Sequence, residues 1–161
     1  MGGVTACGCW GTVGWSKKEV ISVNGGIMKE VEIIKDNLIN NGGKIELPLL
    51  KGNRYFNVEL EEDGVYVDNL HKQPFLHWSV FEKTIELLKI EGGDAIKGSA
   101  MAGKLGDDKL PIDSIEGYVA QEVYGKQIGE SVFRRSTPIA NILIWAGVCE
   151  GRKGALELKQ V

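Results

Sequence analysis

The apolar positions change period along the chain, and each change marks an element. From Met28 to Asn40 they recur at Met28, Val31, Ile34 and Leu38, the spacing of one helix face, and Asn41-Gly42-Gly43 stops the run. Period two follows. Lys44 to Leu47 predicts a short strand before Pro48, and Arg54 to Leu60 alternates, with Phe56, Val58 and Leu60 on one face and Tyr55, Asn57 and Glu59 on the other. Glu61-Glu62-Asp63-Gly64 suits a turn, and Val65, Tyr66 and Val67 return as the second strand of a hairpin. A loop containing Asn69 and Pro74 comes next.

Helical spacing resumes at Trp78, Phe81, Ile85 and Leu88, with Thr84 and Leu87 beside them, and Gly92-Gly93 ends it. Residues 94–112 are loop-rich, with Gly98, Gly103, Gly106 and Pro111. Asp113 opens another helix: Asp113 and Glu116 have capping-box spacing, Ile115, Val119 and Val123 form its buried stripe, and Gly125 closes it. In the last helix Thr137 is the expected N-cap and Pro138 the first helical residue, where its missing N–H costs nothing. Ile139, Ile142, Leu143 and Ala146 form the inner face and Gly147 the stop. Val148-Cys149, the polar tip from Glu150 to Gly154, and Ala155 to Leu158 read as a closing hairpin. The expectation is an α+β protein. A small module of one helix and a β-hairpin (residues 28–76) precedes a winged-helix domain (residues 77–161) in the order helix, helix, helix, hairpin.

The first residues have no such periodicity. Asn24-Gly25-Gly26-Ile27-Met28 suggests a specific origin, because Gly-Gly can be written GGAGGN, a purine-rich ribosome-binding sequence one codon before an ATG. Residues 1–27 are therefore expected to be either a disordered tail or a mis-assigned translated leader.

Composition narrows the function classes. Apolar residues make up 43% and charged residues 25% of the 161, enough for a real core. No apolar run approaches the roughly 18 residues of a membrane span, and the N-terminus lacks the apolar stretch of a secretory signal. Cys7, Cys9 and Cys149 form neither a disulfide framework nor a metal pattern, so free thiols in a reducing cytoplasm are expected, with no metal and no cofactor. The net charge of −3 is unevenly spread: residues 28–96 hold 8 basic against 13 acidic side chains, whereas residues 120–161 hold 6 against 4.

Two motifs suggest catalysis and fail on chemistry. Gly98-Ser99-Ala100-Met101-Ala102-Gly103-Lys104-Leu105 has the spacing of a phosphate-binding loop. That loop needs a Ser or Thr after the Lys to reach Mg²⁺ and a helix directly behind it, and here Leu105 and Gly106-Asp107-Asp108 follow. Glu59, Glu61, Glu62, Asp63 and Asp68 could be drawn together for a metal-dependent nuclease, but a solvated hairpin end accounts for them. His71 and His77 have no nucleophile signature nearby. No catalytic constellation is expected.

The basic set is the candidate site. Arg134 and Arg135 precede the last helix, where free backbone N–H groups and the helix dipole favour a phosphate. Ser136 and Thr137 add hydroxyls, Asn141 lies one turn into the helix, Lys126 lies upstream, and Arg152 and Lys153 tip the hairpin. An ordinary solvated basic edge is the alternative.

Trp145-Ala146-Gly147-Val148, preceded by Arg135 and followed by Arg152-Lys153-Gly154-Ala155-Leu156-Glu157-Leu158, resembles the end of the winged-helix domain at the N-terminus of Mrr-like restriction endonucleases. The resemblance is clearest over residues 134–158. It implies duplex DNA binding, with Arg134, Arg135, Arg152 and Lys153 on the backbone and Asn141 near the bases. Two features depart from it: a long linker, residues 125–136, joins the second and third helices, and no nuclease domain follows Val161. The expected function is a non-enzymatic DNA-binding module, a regulator or a restriction-type specificity component. The alternative is a winged-helix domain that binds a protein partner or a second copy of itself without nucleic acid, for which Trp145 and Tyr124 are the exposed candidates.

Overall fold

The computed structural model describes residues 17–49, 53–70 and 72–159, and among them are four helices and two antiparallel sheets. Helix α1 spans Lys17–Asn40, so it begins well before Met28, the start that periodicity predicts. Residues 1–16 of the expected tail or leader lie outside the described residues. Val31, Ile34 and Leu38 are completely buried, the face that the spacing marks. The helix ends as Asn41-Gly42-Gly43 dictates. Gly43 donates to the Leu38 carbonyl at 2.7 Å and Gly42 to the Ile39 carbonyl at 3.0 Å, a Schellman turn that needs the positive φ of Gly42.

Four strands follow as a meander: β1 (Lys44–Pro48), β2 (Tyr55–Leu60), β3 (Gly64–Val67) and β4 (Phe75–His77), paired in that order. Strand β4 occupies what the sequence offers as loop; three residues after a proline are too few for a period to register. Leu47, Phe56, Val58, Val65, Val67 and Leu76 are buried, while Tyr55 and Tyr66 stay exposed on the other face. Asp68, one of the acidic residues considered for metal chemistry, instead accepts from the backbone N–H and side-chain amide of Asn57 at 2.8 and 2.9 Å. Among the described residues no His, Cys, Asp and Glu side chains cluster as a metal site would need.

The rest of the chain supplies α2 (Trp78–Ile90), β5 (Asp94–Ile96), α3 (Ile115–Glu122), α4 (Ser136–Trp145), β6 (Cys149–Arg152) and β7 (Ala155–Leu158). The last two strands form the expected hairpin, and β5, which the sequence conceals in a loop, pairs with β7 to give the order β5-β7-β6. The fold is therefore α+β, as its sequence indicates. Two helix starts differ in detail. Ser114, not Asp113, caps α3 by accepting from the Gly117 N–H at 3.1 Å. Helix α4 begins at Ser136 with Arg135 as its cap residue, so Thr137 does not cap it and Pro138 lies in the first turn instead of at the first position.

One continuous core joins the parts that the sequence divides at residue 77. Val31, Ile34 and Leu38 of α1, the inner face of the first sheet, Phe81, Ile85 and Leu88 of α2, and Ile139, Ile142 and Leu143 of α4 belong to a single buried cluster. A second cluster of Leu105, Leu110, Ala120 and Val132 lies under the glycine-rich segment. There Leu105 is buried and the Lys104 N–H is held by Asp107 at 2.8 Å. A segment anchored by the leucine that follows its lysine is a packed connection. No helix of the described residues is long and apolar enough to cross a membrane.

Candidate functional site

Helix α4 is where the predicted site residues converge, so its surroundings decide what they can do. Its sequence, Ser136–Trp145, holds no charged residue. Ser136, Pro138, Ile139, Ala140, Ile142 and Leu143 are buried, Thr137, Asn141 and Trp145 are half-buried, and Ile144, 37% exposed, is its most open side chain. A helix with no charge and one exposed side chain has no polar face turned to solvent.

The N-terminal module reaches α4 at three points. Three hydrogen bonds mark its contact along α4: Arg135 donates to the Gln73 side-chain oxygen, Asn141 to the Pro48 carbonyl at 3.3 Å, and Asn37 to the Ala146 carbonyl at 3.3 Å. They come from the loop before β4, from β1 and from α1, and they reach the start, middle and end of α4. Asn141, expected near DNA bases, is thereby turned toward the first sheet.

The start of α4 is filled as well. Glu116, 2% exposed in the first turn of α3, accepts the backbone N–H of Arg135 at 2.7 Å and of Ser136 at 3.0 Å, one on each carboxylate oxygen. A phosphate at a helix N-terminus would use these same donors. Burial raises the pKa of Glu116, and the two N–H groups and the Arg135 charge oppose that rise. Arg135 itself is drawn inward, 3% exposed. Its guanidinium lies 3.7 Å from the centre of the Tyr124 ring and 4.9 Å from that of Phe133, and it donates to the Phe133 carbonyl at 3.1 Å. Arg135 and Ser136, expected to face a DNA backbone, are instead buried and engaged within the protein. Sequence offers little warning of this: Glu116 has the spacing of its own helix's capping box but serves the next helix instead.

The other basic candidates remain outside. Arg134 is exposed, with its guanidinium 3.3 Å from the Thr137 hydroxyl, and Lys126 is half-buried. Lys153 is exposed at the hairpin tip, and Arg152 beside it is bound to Glu157 at 2.6 Å. A backbone relay connects this tip to the start of α4: Lys97 donates to the Gly154 carbonyl at 2.8 Å, and Glu116 donates to the Lys97 carbonyl at 3.0 Å. Of the remaining candidates, His77 is exposed and packs edge-on against Phe75 at 4.7 Å. His71, Cys7 and Cys9 lie outside the described residues. Cys149 is buried, and burial together with the nearby Glu30 carboxylate pushes its thiol up to about 12, which suppresses its reactivity. Trp145 is half-buried against the core, as is Tyr124. Comparison with known family models, with curated proteins and with solved structures finds no match to this chain.

Proposed function

We propose that residues 78–158 form a winged-helix unit that works as a protein-interaction module and does not read duplex DNA through its third helix. The winged-helix reading is supported by the order α2-β5-α3-α4-β6-β7 and by the pairing of β5 with the final strand. The functional reading is carried by one observation, the enclosure of α4. A helix that reads the major groove must present several polar side chains on an open face, and α4 offers Ile144 there. Baring the rest of α4 would expose an apolar surface that carries no charge of its own.

Fluorescence anisotropy with a labelled duplex, followed from about 50 mM to about 200 mM salt, tests the reading. No saturable binding is expected even at the low end. Binding that weakens steeply with salt would overturn the reading and favour a second one, in which duplex DNA is held by phosphate contacts from Arg134, Lys126 and Lys153. The relay through Lys97 supports that second reading, because it joins the hairpin tip to the start of α4.

A further inference from the structure

We propose that the open edge of β6 is a self-association surface, on which a second copy of this chain pairs its own β6 in antiparallel register about Gly151. This rests on the protein-interaction reading and supplies its partner.

The hydrogen-bonding phase of the second sheet exposes the edge. Lys159 donates to the Val148 carbonyl at 2.9 Å, and Glu150 faces Glu157 and Arg152 faces Ala155 across the hairpin. Alternation in an antiparallel ladder then turns the backbone N–H and C=O groups of Cys149 and Gly151 away from β7; Cys149 is buried, so the groups open to a partner are those of Gly151. Strand β6 is at the end of its sheet, and among the described residues no strand pairs with that side. The open donor and acceptor of Gly151 are a template for another strand.

Charge selects both the partner and the register. Glu150 lies directly opposite Glu157, a like-charge cross-strand pair, and Arg152 is the cation already bound to Glu157. Glu150 has no ion-pair partner among the described residues. Pairing two β6 strands about Gly151 sets each Glu150 opposite the second copy's Arg152, twice over by symmetry, and lets the two Gly151 residues exchange their backbone hydrogen bonds. Shifting the axis to Glu150 would set the two Glu150 carboxylates against each other. A self-complementary patch of this kind is what a two-fold interface requires. Ile144 completes it. A Cβ on Gly151 would meet the Ile144 Cδ1 at 3.0 Å, so the open side chain of α4 lies beside the symmetry axis.

Sedimentation equilibrium of the full chain at low salt tests this by charge exchange. The wild type is expected to dimerise. Glu150→Arg sets Arg against Arg across the axis and should weaken the dimer roughly tenfold. The double variant Glu150→Arg with Arg152→Glu should restore it, because the swapped pair is again complementary and Arg at 150 still faces Glu157. Circular dichroism checks that all three are folded. A folded wild type that stays monomeric, or a dimer unaffected by Glu150→Arg, would overturn the proposal. Those results leave the anisotropy experiment untouched, so a chain that neither binds DNA nor dimerises refutes this surface alone.

Discussion

The Glu116 carboxylate accepts the Arg135 backbone N–H at 2.7 Å across nineteen residues of sequence, and this bond ties α3 to the start of α4. A second, from Ser136 at 3.0 Å, engages the other oxygen. The pair does for α4 what a capping side chain does for an ordinary helix, and it holds the long linker at its far end.

Replacing that carboxylate should be expensive. Glu116→Ala leaves two buried N–H groups without their acceptor, and a loss of about 2–3 kcal/mol in unfolding free energy is expected. Glu116→Gln keeps one acceptor but turns an amide donor toward the other N–H, so it should fall between the wild type and Ala. Urea denaturation of the three proteins measures the series. Equal stabilities would show that the cap contributes nothing.

The two adjacent arginines should behave unlike each other. Arg135→Lys gives up the planar stack on Tyr124 and the reach to Gln73, so a loss of about 1–3 kcal/mol is expected. Arg134→Ala removes an exposed side chain and should stay within about 0.5 kcal/mol of the wild type. Thermal melts of the two variants make the comparison. Similar melting temperatures would contradict the inward position of Arg135.

Tyr118 sets a pH dependence. Its hydroxyl donates to the Glu86 carboxylate, and that bond, with the ammonium of Lys83 nearby, lowers the Glu86 pKa from its ordinary 4.5. A lowered folded-state pKa gives stability that is present above the unfolded value and lost as pH falls through the folded one. Tyr118→Phe should therefore be less stable than the wild type near neutrality, with the gap closing below pH 4.5. Denaturation midpoints over that range report it, and a gap that widened in acid would reverse the assignment.

Gly117 lies in α3 where a Cβ would overlap the Pro111 carbonyl oxygen, a backbone atom that cannot swing aside. Although alanine is the better helix former, Gly117→Ala should destabilise by about 1–3 kcal/mol. A stabilised variant in urea titration would mean that the turn before α3 can move.

Much of the fold is legible in the sequence, because local chemistry decides it. Asn41-Gly42-Gly43, Gly92-Gly93 and Gly147 mark helix ends, and each sits in a Schellman turn. The alternation from Tyr55 to Leu60 gives the inner face of β2, with Phe56 and Val58 buried and Leu60 half-buried against the core. What escapes is set by long-range partners. β4 and β5 have three residues each, and they are strands because β3 and β7 lie beside them. The candidate site suffers most from this. Arg134 and Arg135 are neighbours of one residue type, and only Gln73, Glu116 and Tyr124, remote in sequence, draw the second inside. Asn141 likewise looks like an outward polar residue until β1 is laid against α4.

If α4 is closed to a nucleic-acid groove, as proposed, its amides should be shielded whether or not DNA is present. Amide hydrogen exchange across residues 136–145, with and without a duplex at low salt, tests it most directly. Slow exchange is expected, at the level of the core helix α2 and unchanged by DNA. Fast exchange that becomes protected on adding the duplex would contradict it.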